Sequence, residues 1–110
     1  VDFDSQYGHR RNTAAYAQCL EDFDAMLGEF LTKLQDDELV IIASDHGNDP
    51  TWKGTDHTRE RVPIVAWSPS FTGPVDLGIR STYADLGQTI MENFGTGTLP
   101  AGTSFLKELR

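Results

Sequence analysis

The run Leu39-Val40-Ile41-Ile42-Ala43 leads directly into Ser44-Asp45-His46-Gly47. An unbroken apolar run rich in β-branched residues fits a buried strand, because a half-exposed one would alternate with polar residues. A buried strand commits the chain to a sheet covered by other elements. The C-terminal end of such a strand is where open α/β sheets build their sites. Asp45 and His46 stand at that end, and Gly47 permits a tight turn after them.

The flanking sequence supplies the covering elements. From Thr13 to about Leu34, apolar residues fall at Tyr16, Leu20, Phe23, Leu27, Phe30, Leu31 and Leu34. Steps of four and three give one stripe, which predicts an amphipathic helix. Asn12 or Thr13 can cap its start, and Gln35-Asp36-Asp37 ends it. Val62 to Trp67 reads as a second buried strand, with Pro63 near its beginning. Thr82 to Phe94 predicts a second helix, with Thr82-x-x-Asp85 as a capping box and Gly95 just past its end. Val1 to Asp4 reads as the end of a strand, and Ser5 to Asn12 as a loop. Asp45 to Arg61 is a long polar stretch carrying Gly47, Pro50 and Gly54, and a loop of that length is usually functional. Ser68 to Gly78 is rich in turn residues, and Thr96 to Arg110 reads as loop with a final turn.

The order strand, helix, strand, site loop, strand, helix is an α/β pattern. Three strands and two helices leave sheet edges open. The expectation is that residues 1–110 form a single incomplete domain whose other strands lie upstream. An opening Val1-Asp2-Phe3-Asp4 without Met agrees with this.

Charge and composition narrow the partners. A net charge of −8 leaves no basic stripe to neutralise phosphates, so a nucleic-acid footprint is not expected. No apolar run reaches the ~18 residues of a membrane span, and no signal peptide opens the sequence. Cys19 is the single cysteine and cannot pair within the chain, which suits a reducing compartment, the cytoplasm. It lies among apolar neighbours on the long helix and reads as inert.

All three histidines accompany an aspartate: Asp4 with His9, Asp45 with His46, and Asp56 with His57. A lone histidine is more often a surface or core residue than a ligand. Three such pairs, two of them in a glycine-punctuated stretch after a buried strand, point instead to a metal. Imidazoles and carboxylates without thiolates suit a hard or borderline ion. The candidate ligands Asp4, His9, Asp45, His46 and His57 come from three places in the chain. One ion rarely takes that many side chains and keeps an open position, so two ions fit better. Paired ions are the usual apparatus of in-line phosphoryl transfer. Asp56 either orients an imidazole from outside or is a solvated loop residue, and Asp49 is similarly open. Arg10, Arg11, Lys53 and Arg59 either meet phosphate or are surface charges. Trp52 either walls the site or packs.

Three segments carry a resemblance: Val1-Asp-Phe-Asp-Ser-Gln-Tyr-Gly-His-Arg-Arg11, Ala43-Ser-Asp-His-Gly47 and Asp49-Pro-Thr-Trp-Lys-Gly-Thr-Asp-His-Thr-Arg-Glu60. Together they resemble the bacterial phosphopentomutases, a family of the alkaline phosphatase superfamily of metalloenzymes. The Asp-His-Gly triplet marks only the superfamily. The run from Asp49 to Glu60 and the Asp-Ser-x-Tyr-Gly-His-Arg-Arg motif are more specific. The similarity runs from Val1 to about Gly95 and covers the C-terminal portion of the family.

The resemblance implies part of a three-layer α/β/α core, without its N-terminal strands and inserted cap domain. It implies interconversion of ribose or deoxyribose 1-phosphate and 5-phosphate, with pentose phosphates as the small-molecule partners. It implies two manganese ions and a phosphorylated threonine. By motif, Asp45 and His46 carry over as ligands of one ion, and Asp4, His9 and His57 as ligands of the other. The nucleophilic threonine and the first metal-binding aspartate belong to the family's N-terminal part. No threonine here stands in the matching context, so residues 1–110 alone are expected to be inactive. The rival readings are cofactor-independent phosphoglycerate mutase, which shares Asp-His-Gly-Asn and a two-manganese site, another phosphotransferase of the superfamily, and a non-catalytic metal-binding remnant. The Gly-Thr-Asp-His-Thr-Arg-Glu run favours the pentose enzyme. The sequence specifies no oligomeric state.

Overall fold

The apolar stripe beginning at Tyr16 forms a helix, α1, over Thr13–Leu31 in the computed structural model, which describes residues 2–109. Asn12 caps it, its side-chain oxygen accepting the Ala15 N–H at 3.1 Å. The helix closes three residues before Leu34. There the bonds tighten to i→i+3, from Lys33 N to Phe30 O and from Leu34 N to Leu31 O. The Glu38 carboxylate then takes the Gln35 N–H at 2.7 Å, which starts a turn.

The residues before α1 do not form a strand. Asp2–Gly8 winds as a π-helix, and the His9 N–H donates to the Asp4 carbonyl at 2.9 Å. The Val1 part of the strand expectation lies outside the described residues; the rest is corrected here. The physical reason is tertiary. Phe3 sits against Tyr16 with ring centroids 5.6 Å apart and meets Phe23 edge-on at 6.1 Å. Winding lets Phe3 pack on α1 while Asp2 stays exposed and Asp4 turns away from the aromatic cluster. Arg11 joins this segment to α1 with φ of 54°, the one left-handed non-glycine among the described residues.

Two strands follow, β1 over Val40–Ala43 and β2 over Ile64–Trp67. They pair antiparallel, Val40 opposite Trp67 and Ala43 opposite Ile64. Both were expected to be buried, and neither is. Ala43, Val65 and Trp67 are exposed, and the rest of both strands is half-buried. The sheet has two strands among the described residues, so each strand keeps one unpaired edge. The connection between them is therefore a long hairpin. Gly47 and Thr58 bridge it near its base, with the Thr58 N–H donating to the Gly47 carbonyl at 3.3 Å.

The chain divides into two compact units, Val1–Pro69 and Ser70–Arg110. The elements above belong to the first. The second is built on α2, Ala84–Phe94, which ends at Gly95 in the left-handed conformation, as its position predicts. The capping box does not form. The Thr82 hydroxyl accepts the Ala84 N–H at 3.2 Å, but the Asp85 carboxylate turns elsewhere. Its oxygens accept the Thr103 N–H at 2.8 Å and the Arg80 Nε–H at 3.3 Å. Asp85 is 3% exposed, and the Arg80 guanidinium also lies over the Phe105 ring at 5.3 Å. The Thr89 hydroxyl donates to the Asp85 carbonyl and accepts the Phe105 N–H. Phe105 itself is fully buried. The tail ends in a 3-10 turn, Leu106–Glu108, as expected.

The described residues thus mix helix and strand with a small sheet, consistent with part of an α/β domain. Among the described residues no helix is long and apolar enough to cross a membrane.

Candidate metal centre

The π-winding of Asp2–Gly8 brings two residues five apart onto one side. The His9 Nε2 lies 3.3 Å from the Asp4 Oδ1. The end of β1 delivers His46, with its Nε2 at 4.0 Å from the same oxygen. The far arm of the hairpin delivers His57, at 3.1 Å. The Gly47–Thr58 bridge sets these two imidazoles against each other, since His46 precedes Gly47 and His57 precedes Thr58. Their rings stack at 3.6 Å, and His9 lies 4.8 Å from His57 between centroids. Asp45 stands outward, its side chain 89% exposed, with Oδ2 at 3.6 Å from the His46 Nε2.

Four of the five expected ligands, Asp4, His9, His46 and His57, are therefore brought together, while Asp45 stands outward beside His46. Ligand atoms of Asp4, His46 and His57 lie within 4.8 Å of one another. This tight trio spans both of the expected ligand sets. Asp56, Arg10, Arg11, Lys53, Arg59 and Trp52 all stand exposed. Asp49 shapes the loop: its Oδ1 accepts both the backbone N–H and the hydroxyl of Thr51, which hold its carboxyl below the usual range.

Glycine at position 47 serves space rather than backbone freedom, because its φ is not positive. A Cβ there would collide with the Glu60 carboxylate and come within 2.8 Å of the Thr58 carbonyl. The Thr58 hydroxyl ties this base together. It accepts the Asp49 N–H and donates to the Glu60 Oε2, both at 2.7 Å. Sequence reasoning singled out neither Thr58 nor Asn48. The Asn48 Nδ2 donates to the Asp4 Oδ1 at 2.7 Å. That bond, ahead of the three imidazoles and against partial burial, holds the Asp4 carboxyl below its ordinary value. The only local sign of Asn48 was a polar side chain directly after Asp-His-Gly.

The ring orientations test whether these groups suit a cation. The His9 Nδ1 faces the Thr55 carbonyl, and the His46 Nδ1 lies 3.2 Å from the Gly47 carbonyl. A carbonyl can only accept, so both Nδ1 atoms carry the proton. In the neutral tautomer this turns the Nε2 lone pairs toward a carboxylate oxygen, a donor set that a cation held between them would satisfy. Imidazole ligands of metals make this same outer hydrogen bond, which fixes tautomer and direction. A nitrogen and oxygen donor set without sulfur suits a divalent ion of borderline character.

The family model of the metalloenzyme superfamily matches residues 1–98. The chain belongs to the metalloenzyme superfamily. Membership in it implies binding of divalent metal, in agreement with the donor set. The chain is 54% identical over 110 residues to the phosphopentomutase of Levilactobacillus brevis, covering 100% of this chain and 28% of the relative. It is also 54% identical over 110 residues to the phosphopentomutase of Limosilactobacillus reuteri, covering 99% of this chain and 28% of the relative. The motif resemblance is thus borne out along the whole chain, which spans 28% of the length of these metalloenzymes.

Proposed function

We propose that this chain supplies the metal-binding part of a phosphopentomutase, which interconverts ribose or deoxyribose 1-phosphate and 5-phosphate. The observation that carries the reading is the convergence of the His9, His46 and His57 Nε2 atoms on the Asp4 Oδ1. It occurs in a chain 54% identical to phosphopentomutases, which also disfavours the phosphoglycerate mutase reading.

Asp45 and His46 would hold one divalent ion, and Asp4, His9 and His57 a second, with manganese as the metal. When bound, such ions neutralise the transferred phosphoryl group and lower the pKa of the attacking oxygen. The residues of this chain aim and charge the site. His9 and His46 are locked by carbonyls with their Nε2 atoms inward. Asp4 stays anionic under the Asn48 hydrogen bond. The exposed Asp45 marks the solvent side, from which a sugar phosphate would approach. No threonine of this chain is assigned as the phosphorylated nucleophile, and residues 1–110 by themselves would not turn over substrate. They would form the C-terminal share of one three-layer α/β/α core domain in a cytoplasmic enzyme.

The test is an assay of the intact protein with ribose 1-phosphate and with 3-phosphoglycerate, before and after chelation and again after Mn2+ is restored. Pentose turnover that disappears on chelation and returns with Mn2+ is expected. Turnover of 3-phosphoglycerate with none of ribose 1-phosphate would overturn the reading.

A further inference from the structure

We propose that Asn48 is the positioning residue of this centre, a clasp that holds Asp4 against His46 and His57 from a seat left open by Gly8. The inference rests on the metal reading above and deepens it. Asp4 and the two histidines come from segments more than forty residues apart in the chain. The Asn48 Nδ2–H donates to the Asp4 Oδ1 at 2.7 Å, the same oxygen that faces all three imidazoles. Asn48 directly follows Gly47, so the bridge that sets His46 beside His57 also fixes the root of the clasp.

Gly8 supplies the second, independent observation. It is buried, and its φ lies outside the left-handed region, so its backbone does not require glycine. A Cβ at that position would run into the Asn48 side-chain amide. The missing side chain is thus the space in which the amide sits. The first segment contributes both the carboxylate to be held and the hollow for the group that holds it.

The chemistry of the amide matters as much as its reach. A neutral N–H donor aims a carboxylate and leaves it fully charged for a cation. An aspartate at position 48 would fill the same volume but set a second negative charge against the Asp4 Oδ1. With the donor gone, a half-exposed carboxylate can rotate out of line with the imidazoles, and the cost should fall on metal affinity. Outer partners of this kind are typically worth about 10–100-fold in affinity.

The experiment titrates the metal-stripped intact protein with Mn2+ alone by calorimetry and records the thermal midpoint of the metal-free form. Asn48→Ala is expected to weaken Mn2+ binding about 10–100-fold while lowering that midpoint by no more than the loss of one hydrogen bond accounts for. Asn48→Asp should weaken it at least as much despite equal size, and Gly8→Ala should reproduce the loss. In an Asp4→Ala background, Asn48→Ala should cost less than about twofold more, because its effect runs through Asp4. Affinity of Asn48→Ala within about twofold of the parent, or an equal loss in the Asp4→Ala background, would overturn the clasp. Should Asn48→Ala fail to fold, Asn48→Asp decides by the same criteria. If the unaltered protein takes up no Mn2+, the metal reading itself falls and the clasp with it.

Discussion

The imidazoles of His46 and His57 stack with centroids 3.6 Å apart and planes 22° from parallel, although they come from opposite arms of a long hairpin. The antiparallel Gly47–Thr58 bridge places His46 just outside the joint and His57 just inside it, diagonally across from each other. The stack forms one wall of the candidate centre, and removal of either ring should open it.

His57→Ala removes the imidazole nearest the Asp4 carboxylate, at 3.1 Å. Metal content and pentose turnover of the intact protein should both drop by more than the roughly 10–100-fold that loss of an outer partner costs. Elemental analysis after dialysis, together with the mutase assay, checks this. Unchanged metal content would remove His57 from the ligand set.

Gly47→Ala should separate the two arms. The Glu60 side chain can swing away from an added methyl, but the Thr58 carbonyl at 2.8 Å is backbone and cannot. The expected cost is about 1–3 kcal/mol in urea unfolding, with a parallel loss of metal affinity. Adding Glu60→Ala should not restore either property.

Arg11 invites the opposite kind of change. Its φ of 54° is a conformation that glycine adopts without strain and most residues avoid. Arg11→Gly should be neutral or stabilising by up to about 1 kcal/mol, since relief of strain competes with added chain entropy. Arg11→Val should be clearly destabilising. Thermal melts of the two variants side by side test the sign.

In the second unit, Asp85 accepts from both Arg80 and Thr103 at 3% exposure. Asp85→Ala leaves the mostly buried Arg80 guanidinium without that partner, although Glu108 still meets it at 3.3 Å. A loss of about 3 kcal/mol is expected by denaturant titration. Asp85→Asn keeps an acceptor for the Thr103 N–H and should lose less.

The lowered Asp4 carboxyl gives a pH dependence of known sign. A depressed carboxylate contributes stability above the ordinary aspartate range. That contribution is lost as pH falls through the lowered folded value. Since the Asn48 hydrogen bond is the largest cause, Asn48→Ala should move the Asp4 titration upward. A carbon-detected NMR titration of the metal-free protein reads the shift directly. A downward move or none would contradict the assignment of cause.

What could be read in advance depended on how local each cause was. The α1 stripe and the Gly95 stop follow from neighbours within a few residues, and both were legible. The Asp–His pairs were legible too, because residue type alone marks ligand chemistry. The π-winding was not, since Asp2-Phe3-Asp4 is as good a strand fragment as a helical one until Tyr16 and Phe23 offer Phe3 a surface. Thr82-x-x-Asp85 has the form of a capping box, and only Arg80 and Thr103 explain why Asp85 leaves it. Asn48 has its partner 44 residues away, so no local pattern could reveal it. Burial of both strands was misjudged because apolar content reports what a strand can bury, while the neighbours present decide what it does bury.

The π-winding of Asp2–Gly8 turns the Asp4–His9 interval into a ruler. An i→i+5 bond joins the backbone of these two residues, so their side chains meet because of how many residues separate them. The exposed Gln6 between them can change identity without altering that count. Loss of one residue from the interval would have to close as an α-helical i→i+4 turn, which keeps the two side chains on one face but shifts Phe3 against Tyr16 and Phe23. This stretch is therefore a part of the protein in which a deletion does more damage than most substitutions.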